Sequence, residues 1–111
     1  MSFKVKSRIW IESDTGVFLG EGRVRLLKAI DHCGSISEAA KALGISYKKA
    51  WKLVKSMNES SSQEMVVKTK GGSGGGKSEL TDYARETIKF FDSLNKSCWK
   101  VLEEEMNKNP L

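Results

Sequence analysis

Histidine and cysteine are nearly absent from this chain. It has one histidine, His32, and two cysteines, Cys33 and Cys98, in 111 residues. A histidine beside one cysteine offers two adjacent ligands, too few for a metal site. No Cys/His pairing at useful spacing and no isolated carboxylate pair supplies a nucleophile with its base. Glu103-Glu104-Glu105 reads as a solvated helix end. Neither an enzyme, a bound metal nor a cofactor is expected. The cysteines stand in unrelated contexts, which predicts reduced thiols in a cytoplasmic protein and no disulfide. Long apolar runs are also missing, so no membrane span is expected, and no secretory leader is read at the N-terminus.

What is present is positive charge, concentrated in one segment. The net charge is +5. Between Lys41 and Lys77 stand eight lysines against Glu59 and Glu64, whereas residues 78–111 carry five basic and seven acidic groups. A cationic surface on the middle segment favours a polyanionic partner through counterion release.

That segment opens with the pattern of a helix-turn-helix. Ser37 is placed to cap a first helix, and Ala39, Ala40 and Leu43 give it a small apolar side. Gly44 ends that helix, Ile45 plugs the turn and Ser46 caps a second helix running to about Asn58. On the second helix Tyr47, Ala50, Trp51, Val54 and Met57 recur at helical spacing and are expected in the core. Ser46, Lys48, Lys49, Lys52 and Lys55 are left outside, a basic face of the kind that fits a DNA major groove. Asn58 is expected to satisfy backbone groups at the helix end.

The flanking segments complete a small α+β, mainly α, unit. Phe3 to Ser13 alternates apolar and polar and predicts an N-terminal strand, with Asp14-Thr15-Gly16 as a turn. Gly22 to His32 predicts a helix with Val24, Leu26, Leu27 and Ile30 inward and Gly34 as its stop. Met65 to Lys70 and Lys77 to Leu80 predict a two-stranded wing around a glycine-rich tip, with Lys68, Lys70 and Lys77 placed to reach phosphates. Thr81 caps a helix to about Asn107, roughly 39 Å long at the standard rise. Its seam includes Ile88, Phe91, Leu94, Cys98 and Leu102. A helix that long on so small a body predicts pairing with a second copy. Residues 1–80 are read as a winged helix-turn-helix and 81–111 as a long C-terminal dimerisation helix of the same structural unit.

Residues 71–78, G-G-S-G-G-G-K-S, match the phosphate-loop pattern G-x-x-x-x-G-K-[ST]. The context fails: a working loop starts its helix at the Lys-Ser pair, and here Glu79-Leu80-Thr81 intervene. A second apolar strand ending in a magnesium-binding carboxylate is also missing. Nucleotide hydrolysis is not expected.

Gly34-Ser35-Ile36-Ser37, Ala39-Ala40-Lys41, Gly44-Ile45-Ser46-Tyr47-Lys48, Ala50-Trp51, Met57-Asn58, the glycine run 71–76 and Leu80-Thr81 occur together and in order. In this the chain resembles the DNA-binding domain of the ModE family of molybdate-responsive repressors, which is similar to the winged helix of LysR-type regulators. The resemblance implies a homodimeric transcription regulator in which the N-terminal strand and last helix build the dimer. It implies double-stranded DNA as partner, contacted by Ser37, Ser46, Tyr47, Lys48, Lys49 and Lys52, and by Lys68, Lys70 and Lys77 on the wing. Tyr47 is open between packing and contact; Trp51 is expected to pack. In ModE proteins molybdate binds in C-terminal domains, for which 111 residues leave no room, so the expectation is DNA binding with any sensor in a separate protein. DNA affinity titrated with and without molybdate is then expected to be the same. The competing reading is a low-specificity nucleoid protein or an adaptor for such a sensor, since few residues on the basic face make bidentate base contacts.

Overall fold

The computed structural model describes residues 2–69, 76–109 and 111. Chain order is β1 (Trp10–Ser13), β2 (Gly16–Gly20), α1 (Glu21–Cys33), α2 (Ile36–Leu43), α3 (Tyr47–Ser60), β3 (Val66–Thr69), β4 (Lys77–Leu80) and α4 (Asp82–Lys108). Two antiparallel hairpins, β1–β2 and β3–β4, flank a helical core.

The core is built from one side of each helix and one end of each hairpin. Leu19 of β2, Leu26, Leu27 and Ile30 of α1, Met57 of α3 and Met65 are all but fully enclosed. Ala39, Ala40, Ala50 and Ala84 are buried too, and their small side chains let the helices approach closely. Each large side chain contributes about 1.5–3 kcal/mol on burial.

Helix ends follow local chemistry. Gly34 takes the left-handed conformation at φ 80° and its N–H donates to the Ile30 carbonyl at 2.8 Å. Gly44 does the same after α2, at φ 70°, and the Ile45 N–H donates to the Ala40 carbonyl at 3.0 Å. Ser46 Oγ accepts the Lys49 N–H at 3.0 Å and Thr81 Oγ1 accepts the Ala84 N–H at 3.1 Å, so both expected caps are in place. Thr81 also donates to the Glu64 carbonyl at 2.7 Å, tying the start of α4 to the segment before β3.

Three expectations need correction. The cap of α2 is Ser35, whose Oγ accepts the Glu38 N–H at 3.0 Å; Ser37 lies within the helix. Ile36 is buried at the first helical position, which pulls the start back by two residues. The first strand begins at Trp10, not Phe3. Its partner β2 spans only five residues, and among the described residues nothing pairs with residues 2–9. β2 itself, Gly-Val-Phe-Leu-Gly, was not expected as an element, although a short apolar run after a turn is how a covered strand reads.

Ser35→Ala and Thr81→Ala each remove the side chain that caps a helix start. Each is expected to lower stability by about 1 kcal/mol in denaturant titration, with Thr81→Ala the larger because its hydroxyl makes two contacts.

Candidate nucleic-acid interface

Helix α3 turns Ala50, Val54 and Met57 into the core. At 100° per residue the opposite side carries Lys48, Lys52, Lys55 and Glu59, all exposed. None of these lysines, nor Lys49, Lys68 or Lys77, has a carboxylate partner within ion-pair distance among the described residues. Their charge is available to a ligand.

Wing and α3 meet through Asn58. Its Oδ1 accepts the N–H groups of Met65 and Val66 at 2.7 and 3.2 Å, and its Nδ2 donates to the Val66 carbonyl at 3.1 Å. One amide thus fixes the angle at which β3 leaves the helix, as the local-backbone reading of Asn58 expects. On the wing β3 and β4 pair Thr69 with Lys77 and Lys68 with Ser78. Lys68 and Lys77 are exposed near its far end. Residues 70–75, Lys70 among them, lie outside the described residues. Ser78 is buried and its N–H donates to the Gly34 carbonyl at 2.9 Å, docking the wing on the end of α1. The Lys77-Ser78 pair therefore belongs to a strand, and α4 starts only at Asp82.

Other predicted contact residues are placed as follows. Ser37 is exposed on the first turn of α2. Ser46 is exposed, with its hydroxyl engaged as the α3 cap. Lys49 stands on the margin of α3 away from the wing. It lines a cleft of about 500 Å3 with Arg8, Arg23 and Arg25, a second basic cluster that sequence reading missed because its members are far apart in the chain. Arg23 donates to Ser56 Oγ at 3.1 Å, and burial lowers its guanidinium pKa.

Tyr47 and Trp51 depart from the core reading. Tyr47 is 54% exposed and Trp51 39%. Both sit at the wing-side margin of the apolar arc, which the neighbouring elements cover only in part. Leu53 packs on the core from the other margin instead. Lys55 Nζ lies 5.2 Å from the centre of the Trp51 ring, a cation–π distance.

On α4, Ala84, Ile88 and Phe91 are buried in the chain's own core. Cys98 and Leu102 are half-buried. Phe90, Leu94 and Val101 are exposed at 60%, 40% and 57%. Of the predicted seam, Ile88 and Phe91 thus face inward and Leu94 outward. Lys28–Asp92 (3.0 Å) and Arg85–Asp31 (2.9 Å) pair α1 with α4 at the surface.

A helix pair joined by a glycine turn, a lysine face on the second helix and a hairpin wing docked beside it define a winged helix-turn-helix protein. Residues 22–85 match the model of the bacterial regulatory helix-turn-helix proteins of the lysR family, and the chain belongs to that family. It is similar to the molybdenum transport protein ModE of Azotobacter vinelandii, 37% identical over 92% of this chain and 39% of that protein. It is likewise similar to the DNA-binding transcriptional dual regulator ModE of Escherichia coli K12, 44% identical over 70% of this chain and 30% of that one. The chain thus spans about two fifths or less of the length of these relatives. Among solved structures it resembles ArgP from Mycobacterium tuberculosis, with a TM-score of 0.53 and 18% identity over 77% of this chain and 30% of that chain, a likeness of fold. No helix among the described residues is long and apolar enough to cross a membrane.

Proposed function

We propose that this chain binds double-stranded DNA as the operator-reading part of a cytoplasmic transcription regulator, and does so as a homodimer. The observation that carries the reading is the lysine face of α3, free of ion pairs among the described residues and held beside a basic wing. Lys48, Lys52 and Lys55 enter or border the major groove, while Lys68, Lys70 and Lys77 hold the phosphate backbone. Ser46, Tyr47 and Lys49 lie around the start of α3, and Ser37 on the first turn of α2 completes the proposed contacts. Two copies related by a two-fold axis address half-sites about 34 Å apart, one duplex turn.

The exposed side of α4 supports pairing. Phe90, Leu94, Ser97 and Val101 are exposed and alternate by fours and threes, the spacing of a coiled-coil seam, in a register that half-buried Tyr83 and Thr87 continue toward the domain. Leu94 belongs to this seam; Cys98 and Leu102 lie beside it. In this reading Ile88 and Phe91 support the seam from within the domain.

One feature favours the low-specificity alternative. The outward groups of α3 are mostly lysines, which act as point charges, and Asn58, suited to adenine, is engaged with backbone. Fluorescence anisotropy with duplexes enriched from a random-sequence pool separates the readings. An operator reader prefers an enriched duplex over its scrambled form, and a nucleoid protein binds both alike. Either binds more weakly as salt rises, with a log–log slope of about −0.9 per phosphate contact. Affinity independent of salt overturns the DNA reading altogether.

A further inference from the structure

The side chains of α3 best suited to directional base recognition are already occupied. Ser46 caps the helix, and Asn58 spends both ends of its amide on β3. Lys48 and Lys52 offer compact charges that serve phosphates as well as bases. What remains is a stripe at four-residue spacing, Tyr47, Trp51 and Lys55, along the wing side of the basic face. Trp51 is packed on one side and 39% exposed on the other, so a large part of its indole faces the open side of α3. Its ring borders a cleft of about 470 Å3 between α3 and the wing, shared with Lys55, Val67 and Lys68. The cleft has an apolar wall, and its rim carries Lys55 and Lys68 together with Glu59 and Glu64.

We propose that Trp51, with Lys55 drawn over its ring, is a base-reading side chain of α3 that packs its indole against thymine C5-methyl groups in the major groove. The thymine methyl is the apolar mark on that groove, distinguishing thymine from cytosine by contact alone. The cation–π contact favours this orientation of the ring and places a positive charge next to it. A duplex satisfies both parts of the cleft: methyl groups meet the indole while the backbone passes Lys55 and Lys68. The inference rests on the DNA-binding reading and names how that site discriminates.

The test uses duplexes enriched by the full chain from a random pool, measured by anisotropy against Trp51→Ala and Trp51→Phe. Each thymine of the best duplex is also replaced singly by uracil, which deletes only the methyl. Trp51→Ala is expected to weaken the enriched duplex about tenfold, the scale of one mismatched pair, and the scrambled duplex much less. At least one uracil substitution weakens the wild type severalfold and leaves Trp51→Ala unaffected. Trp51→Phe, which keeps a ring, falls between. Equal losses by Trp51→Ala on both duplexes assign the ring to the sugar-phosphate backbone and overturn the proposal. Wild-type indifference to uracil at every thymine overturns it too, and needs no variant to fold. If the wild type enriches no duplex at all, the DNA reading itself fails first, an outcome distinct from either.

Discussion

Replacing Lys48, Lys52 and Lys55 together by alanine leaves a folded protein that binds duplex DNA about a hundredfold more weakly near 0.15 M salt, if each lysine meets one phosphate. The three side chains are exposed, and no ion pair among the described residues depends on them. Alanine is at least as good a helix former as lysine, so the melting temperature stays within a few degrees. The loss on DNA follows from counterions: each phosphate contact contributes about 0.9 to the log–log salt slope, which at 0.15 M amounts to roughly a fivefold factor per lysine relative to 1 M salt. The slope itself is expected to drop by about three. Anisotropy across a salt series on wild type and triple variant reads both numbers. A weaker variant with an unchanged slope means the lysines act on structure and not on phosphates.

Most of the helical frame was legible because helix ends are decided within four or five residues. Gly34, Gly44, Ser46 and Thr81 each do what their own chemistry allows, whatever the rest of the chain does. Ser35 was legible too: Ser35 and Glu38 form the S-x-x-E spacing of a capping box, and that spacing should outrank a serine two residues on. The strands were harder, since a strand is defined by its partner. The alternation of Phe3 to Ile9 is real, yet β2 is too short to pair with it. On α3, periodicity located the buried arc and misjudged its width. Ala50, Val54 and Met57 mark its centre, and the margin that holds Tyr47 and Trp51 stays partly open because the wing covers it only in part. Which margin is covered depends on where the hairpins dock, and no helical pattern encodes that. The basic cleft of Arg8, Arg23, Arg25 and Lys49 was invisible for the same reason, being assembled from the segment before β1, from α1 and from α3.

The helix α4 carries two apolar faces, and substitutions on them are expected to fail in opposite ways. Ile88 and Phe91 lie in the chain's own core, so Ile88→Ala and Phe91→Ala each cost about 2–5 kcal/mol of stability. Phe90 and Leu94 are exposed at successive seam positions, so Phe90→Glu with Leu94→Glu leaves the domain folded. Two carboxylates per copy would then face each other across a paired seam, and burying them unpaired is costly enough to separate the copies. Sedimentation is expected to show wild type as a dimer and the double variant as a monomer with an unchanged helical spectrum. The effect on DNA exceeds that of any single lysine. Without its partner, each domain loses the effective concentration that delivers the second half-site, which amounts to about a hundred- to ten-thousand-fold in affinity for a two-half-site duplex. Binding to a single half-site stays as it was, because neither residue lies on the α3 or wing surface. A double variant that remains dimeric moves the seam to another face of α4. A wild type that stays monomeric at high concentration removes the homodimer from the proposed function and leaves the lysine face to act alone.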